Sequence, residues 1–266
     1  MSELFEIYRK QFVIELAVVA QYRVSIALWI LSLVAEPIVY MTVWTTITKQ
    51  QGSVGGFTGG EFAAYYITWM LVRHFAVTLS PDALEWRVRQ GEFSALLLKP
   101  IHPVHTDIAS NIAYKLVALP IILAMMLGLA TIFPPTYNFH LWSILAFIPV
   151  MFMAYLIRFL SHWILGILAF WTTRANSIFQ IFFVSEIFLT GRLAPLSLLP
   201  VPIQIVASIL PFRWMIAFPV ELLLGKVTPE DALVGFGMQT IWLGLEVMLL
   251  LLVWRAGVKR YAAVGA

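Results

Sequence analysis

The chain contains no cysteine in its 266 residues, which excludes disulfides, thiolate metal sites and cysteine nucleophiles. Charge is nearly as scarce. Asp, Glu, Lys and Arg make up 12% of the residues and hydrophobic ones 61%, with a mean hydropathy of +0.88. A soluble domain carries about twice that share of charge and an apolar fraction nearer half, so the composition excludes a soluble globule and predicts a multispanning membrane protein. No GxxxxGK[ST] occurs. Gly55 and Gly60 in GGFTGGE have P-loop spacing, but Glu61 stands where the phosphate-binding lysine belongs and no buried strand precedes it. The chain therefore does not hydrolyse ATP in the P-loop manner, and residues 48–60 are expected to be a flexible connector. No serine-histidine-acid set is present. His102 and His105 stand three apart with Asp107 close by, a spacing that could share a metal, but Pro103 lies between them and no fourth ligand is evident. No metal site is expected.

Present instead are long apolar runs and many aromatics: ten Trp, nine Tyr and nineteen Phe, as suits side chains near bilayer interfaces. The first 23 residues mix both charge signs and lack a small-residue cleavage site, unlike a cleaved signal peptide. Phe5, Tyr8, Phe12, Leu16 and Val19 recur at helical spacing, opposite Glu3, Glu6 and Lys10, which predicts an interfacial helix over 1–23. Six spans are predicted over 24–47, 62–79, 108–133, 141–171, 177–193 and 233–254, each near or above the length a crossing helix needs. Pro120 predicts a kink in the third.

Residues 194–224 remain apolar but are cut by Pro195, Pro200, Pro202, Pro211 and Pro219. No piece reaches the roughly 20 residues a crossing requires, and irregular backbone at membrane depth is tolerated only where protein or water covers it. A re-entrant helical hairpin is expected there. With six spans and the N-terminus inside, eleven basic residues fall on the cytoplasmic side: Arg9, Lys10, Arg23, Arg87, Arg89, Lys99, Lys115, Arg174, Arg255, Lys259 and Arg260. Four fall outside, Lys49, Arg192, Arg213 and Lys226. That bias places both termini in the cytoplasm and turns the hairpin outward.

Between the second and third spans lies a charged, amphipathic island, 80–106. Ser80 followed by Pro81 signals a helix start; Leu84 and Val88 share one face, and Glu85 and Arg89 pair at i,i+4 beside it. Gly91 permits a left-handed helix end, after which Phe93, Leu96 and Leu97 share one side of a second short helix that Pro100 stops. Two such helices suit a platform lying against the membrane and a partner; an ordinary solvated loop is the alternative. Glu36, Arg73, Arg158, Glu186 and Glu246 lie within predicted spans, where an unpaired charge costs about 2.5–3.5 kcal/mol on insertion scales. They read either as Arg-Glu pairs that fix helix packing, which we favour, or as a proton or ion relay along a transport path. Arg73 and Arg158 could also snorkel toward the cytoplasmic surface.

Two stretches resemble the type-2 class of ATP-binding-cassette (ABC) exporter permeases. Glu85-Trp86-Arg87-Val88-Arg89-Gln90-Gly91-Glu92-Phe93 with Leu96-Leu97-Leu98-Lys99-Pro100 is similar to the segment of that class on which the ATPase docks. Residues 191–226, with Leu199-Pro200 and Pro211-Phe212, look like its extracellular re-entrant helices. Together with the N-terminal helix and six spans, the resemblance covers nearly the whole chain, as a single permease domain over 1–266. It is most like a poorly characterised bacterial subgroup whose permeases accompany a second permease and an ATPase. The resemblance implies a non-enzymatic, all-α half-transporter in the bacterial inner membrane. It would dimerise with an identical or homologous permease and work with two copies of a separate ATPase. That ATPase would bind ATP and Mg, while this chain binds no cofactor and no nucleic acid. The implied coupling residues are Glu85, Arg87, Arg89, Gly91, Glu92, Leu97, Lys99 and Pro100. The implied cargo is hydrophobic or amphipathic, exported from the cytoplasm or inner leaflet; no residue pattern identifies it. The rival reading is an ion-coupled secondary transporter using the intramembrane Glu and Arg residues, although 24–133 and 141–254 show no convincing repeat.

Overall fold

Hydrocarbon offers no water to backbone N–H and C=O groups, and helices satisfy these groups within each segment. The computed structural model describes residues 2–99, 101–172 and 175–260; Pro100, Arg174 and residues 261–266 lie outside the described residues. Twelve α-helices are described: α1 (Ser2–Gln21), α2 (Arg23–Gln51), α3 (Gly59–Ala76), α4 (Pro81–Arg89), α5 (Phe93–Leu97), α6 (Pro103–Ile132), α7 (Leu141–Ile167), α8 (Ala175–Leu189), α9 (Val201–Ile209), α10 (Pro211–Met215), α11 (Ala217–Leu223) and α12 (Pro229–Val258). The described residues form no β-strand beyond an isolated bridge between Val54 and Phe57. Three helices are long and apolar enough to cross a bilayer by that measure alone: α6, α7 with its 3-10 extension to Phe170, and α12. Pro120 lies inside α6, which continues through it as one helix.

Two predicted spans end earlier than the hydropathy pattern suggested. Helix α3 stops at Ala76, so residues 77–80 are non-helical up to the Ser80 cap, whose hydroxyl accepts from the Ala83 N–H at 3.2 Å. Helix α8 stops at Leu189, about 22 Å long at 1.5 Å per residue. The chain then turns through Gly191, whose φ of 74° suits glycine and whose carbonyl accepts from the Tyr65 hydroxyl at 2.8 Å. The connector before α3 is more ordered than its glycines implied. Thr58 and Glu61 form a reciprocal capping box, the Glu61 side chain accepting from the Thr58 N–H at 3.0 Å.

Helix α3 is apolar almost all round and lies at the centre, with Phe62, Tyr65, Tyr66 and Trp69 fully buried. It packs against α2, α6, α7 and α11, while α12 and α4 lie along α7. At one end of this bundle, Leu198 fills the space a side chain at Gly55 would need, Lys226 bonds Glu61, and Gly225 sits against Asn138. Both ends of the proline-cut stretch therefore lie beside the α2–α3 connection. Carbonyls within it and just before it are met by side-chain donors: Trp44 and Tyr66 bond Leu193, Trp242 bonds Ile209, and the buried Gln239 amide bonds Trp214 at 2.9 Å. At the opposite end α4 lies against the end of α7, and the ring of Phe93 in α5 lies within about 6.5 Å of Trp163 in α7 and Trp254 in α12.

Candidate functional site

The island folds as two short helices, α4 and α5, joined through Gly91, whose φ of 77° is left-handed. Leu84, Val88 and Phe93 are buried. Leu84 lies over Gly166 of α7, where a Cβ would come within 2.7 Å of the leucine side chain, so this glycine sets how closely α4 approaches. Beneath the platform the rings of His102, Trp163 and Trp254 form an aromatic block, with Trp254 centred 4.2 Å from His102 and 5.4 Å from Trp163, and Phe93 and Phe170 meeting at its edge. His102 is the N-cap of α6 and its Nδ1 accepts from the Val104 N–H at 3.2 Å.

The residues predicted to meet a partner divide between the two faces. Arg89, Glu92 and Lys99 are exposed, whereas Leu97 and Gly91 are half-buried. Glu85 is buried and receives Arg89 Nη1 at 3.4 Å. Arg87 turns inward, its Nη1 reaching Asp107 Oδ1 at 2.7 Å, while the other oxygen of Asp107 accepts from Trp163 Nε1 at 2.9 Å. Both oxygens of Asp107 are so engaged, and the ring of His102 packs on Trp163 and Trp254. Two large apolar side chains that the pattern did not single out stand outward instead: Trp86, 54% exposed, and Leu98, 87% exposed. The signal for Trp86 was in the sequence, since it falls on the face of α4 opposite Leu84 and Val88.

Four of the five charges expected inside the bundle meet opposite charges. Glu36 of α2 is held by two arginines: Arg73 Nη1 of α3 bonds Oε2 at 2.6 Å, and Arg192 bonds both oxygens, Nη2 to Oε2 at 3.0 Å. Arg158 of α7 grips Glu186 of α8 with two donors, at 2.7 and 3.1 Å, and gives a third to the Ala76 carbonyl. His162 bridges this pair to Thr78, Nδ1 lying 2.7 Å from the threonine hydroxyl. Neither Arg73 nor Arg158 snorkels; a carboxylate within reach outweighs the path to the surface. Glu246 of α12 meets no cation among the described residues: Ser161 donates to its Oε1, and its Oε2 has no partner. Arg192, counted outside by the charge rule, lies with Glu36, and Lys115, counted cytoplasmic, is buried between α6, α3 and α7, its ammonium donating to the Val77 carbonyl at 2.6 Å.

The C-terminus of α3 thus carries a cation at two successive carbonyls, Ala76 and Val77. Those carbonyls have no intrahelical donor, and the helix dipole favours positive charge there. The same arrangement ties the end of α3 to α7 and α6, close to the start of α4.

The described residues thus form a helical protein with apolar helices long enough to cross a bilayer and an amphipathic platform at one end. The family model described as ABC-2 family transporter protein matches residues 34–265, and the chain belongs to that family. Membership supports a type-2 ABC permease subunit that associates with a separate ATP-binding subunit and is not itself catalytic. Neither a curated protein nor a solved structure matches the chain.

Proposed function

We propose that the chain is the membrane subunit of an ATP-driven exporter in the bacterial inner membrane, with α4 and α5 as the surface on which the ATPase docks. In this reading α2, α3, α6, α7, α8 and α12 cross the bilayer, both termini are cytoplasmic, and residues 194–224 return to the outer side as a cap. Two copies of the ATPase, carrying ATP and Mg, serve this permease and a second one, identical or homologous. The cargo is a hydrophobic or amphipathic molecule taken from the cytoplasm or inner leaflet.

The observation that carries the reading is how the platform is mounted. Its outer face offers Trp86, Arg89, Glu92, Leu98 and Lys99, and Trp and Arg are the residue types that most often anchor protein interfaces. Its inner face is locked to three long helices at once, by Leu84 on Gly166 of α7, Arg87 on Asp107 of α6, and Phe93 against Trp254 of α12. A push on α4 is delivered to all three. The ion-coupled alternative needs carboxylates that can change partner; Glu36 and Glu186 are committed to arginine, which leaves it Glu246, which meets no cation among the described residues.

The test is co-expression with the cognate ATPase. Trp86→Ala and Arg89→Glu are expected to lower stimulated ATP hydrolysis and transport about tenfold or more, as loss of an interface anchor worth about 2 kcal/mol requires, with thermal stability of the permease little changed because Arg89 is exposed and its contact with Glu85 is long. Unaltered co-purification and stimulation in both variants would sink the proposal.

A further inference from the structure

Lys115 stands apart from the other buried charges. It is 6% exposed, and its ammonium donates to the Val77 carbonyl and lies 3.8 Å from the centroid of the Tyr155 ring, yet among the described residues no carboxylate pairs with it. A buried cation is ordinarily compensated by an anion. Tyr155 beside it is also 6% exposed, and its hydroxyl has no hydrogen-bond partner among the described residues, which is uncommon for a buried tyrosine. Both side chains line one open groove of about 370 Å³. The other walls come from Phe75 at the end of α3, Ile112 and Leu116 of α6, and Phe147, Ile148, Met151 and Phe152 of α7, all apolar. The outer rim, Leu116, Ile148 and Phe152, is exposed on the outside of the α6–α7 pair.

From this we infer that the groove binds an anionic amphiphile, its carboxylate or phosphate oxygens drawn to the Lys115 ammonium and its acyl chain lying along Leu116, Ile148 and Phe152. The groove lies at the level of the C-terminus of α3, where Lys115 meets the Val77 carbonyl. In the orientation proposed above that is the inner-leaflet side, where anionic headgroups are available. The site rests on that orientation for its leaflet only. Its chemistry is independent of whether an ATPase docks on α4, so failure of one reading leaves the other standing. An apolar wall alone would accept any lipid tail. The cation at its head selects for negative charge.

The experiment is native mass spectrometry of the full-length chain released from neutral detergent, titrated separately with oleate, dioleoyl-phosphatidylglycerol and dioleoyl-phosphatidylcholine. One equivalent of oleate or of phosphatidylglycerol is expected to bind about tenfold more tightly than phosphatidylcholine, the discrimination one charge-assisted hydrogen bond supplies. Binding of oleate alone identifies a free fatty acid as the ligand; binding of phosphatidylglycerol alone identifies an acidic phospholipid. Lys115→Met is expected to abolish the preference and Lys115→Arg to retain it. Should Lys115→Met fail to accumulate, Ile148→Trp, at an exposed position on the rim, fills the groove and is expected to reduce binding by a similar factor. Equal retention of all three lipids by the wild type overturns the inference. So does undiminished binding to Ile148→Trp, or a change in that variant's oligomeric state with lipid binding intact, which would assign the groove to a second protein chain.

Discussion

Arg158 and Glu186 meet across the α7–α8 contact in a two-donor pair, Nε to Oε1 at 2.7 Å and Nη2 to Oε2 at 3.1 Å, with the remaining nitrogen, Nη1, on the Ala76 carbonyl. The arginine therefore pins three elements with one side chain. Its partner is only 5% exposed, so neither charge has water to fall back on.

Removing one member of this pair leaves a buried charge uncompensated, which costs about 3–5 kcal/mol, whereas removing both forfeits only the net value of the pair. Arg158→Met and Glu186→Gln should each lower the thermal midpoint of the detergent-solubilised protein sharply, and the double variant should recover much of the loss. Arg158→Lys should rescue poorly, because a point charge cannot reproduce the two-pronged geometry. Additive losses in the double variant would contradict this account.

Arg87 and Arg89 are two residues apart but answer to different partners. Arg87→Glu would set a carboxylate against buried Asp107 and is expected to reduce folded yield, with an effect of the same order, about 3 kcal/mol. Arg89 is exposed and its contact with Glu85 is the longer one at 3.4 Å, so Arg89→Glu is expected to lower the yield far less. Size-exclusion profiles of the permease without any ATPase distinguish the two; equal yields would mean that the contact between Arg87 and Asp107 carries no weight.

The outward hairpin is open to a labelling test, since the chain has no native cysteine. Ser197, within the stretch, and Thr228, just after it, are exposed positions for a cysteine, and Lys259 at the end of α12 is exposed too. An impermeant thiol reagent applied to intact cells is expected to modify the first two and spare the third. Labelling at Lys259→Cys would reverse the assignment of the termini.

His102 carries a pH dependence. Burial, with a smaller contribution from nearby His105, holds its imidazole below the ordinary histidine value. A proton on Nδ1 would also remove the acceptor for the Val104 N–H. Folding therefore favours the neutral ring. The stability it contributes is fully present above the unfolded value near 6.5 and is lost as pH falls below that toward the folded value. Thermal midpoints measured from pH 7.5 to 5.5 should fall on acidification, and His102→Asn, which keeps a capping acceptor but does not titrate in this range, should flatten the slope. An unchanged slope in the variant would assign the dependence elsewhere.

What could be read along the chain was what local chemistry controls. Ser80 before Pro81, Gly91 and the i,i+4 pair of Glu85 with Arg89 act within one or two helical turns, and each occupies the place its neighbours implied. The proline spacing after residue 194 broke that stretch into the short helices α9, α10 and α11 for the same reason. The fifth apolar run ended at Leu189 rather than at 193 because a turn at Gly191, received by Tyr65 from 126 residues away, overrides hydropathy.

The sequence by itself determined an apolar, all-helical membrane protein with an amphipathic platform, because composition and short-range periodicity dictate where helices start, stop and bury. Only the tertiary structure decided which charges meet. Glu36 could have faced Arg73, Arg158 or neither, and it took the approach of α2, α3 and the turn after α8 to put both Arg73 and Arg192 on it. Charge counting placed Lys115 in the cytoplasm, since a lysine carries no local sign of burial. Its place beside Tyr155 follows from how α3, α6 and α7 pack. The cost of an unpaired charge in hydrocarbon is minimised over the whole bundle at once, and residues dozens to more than a hundred positions apart share no local pattern through which a sequence could announce it.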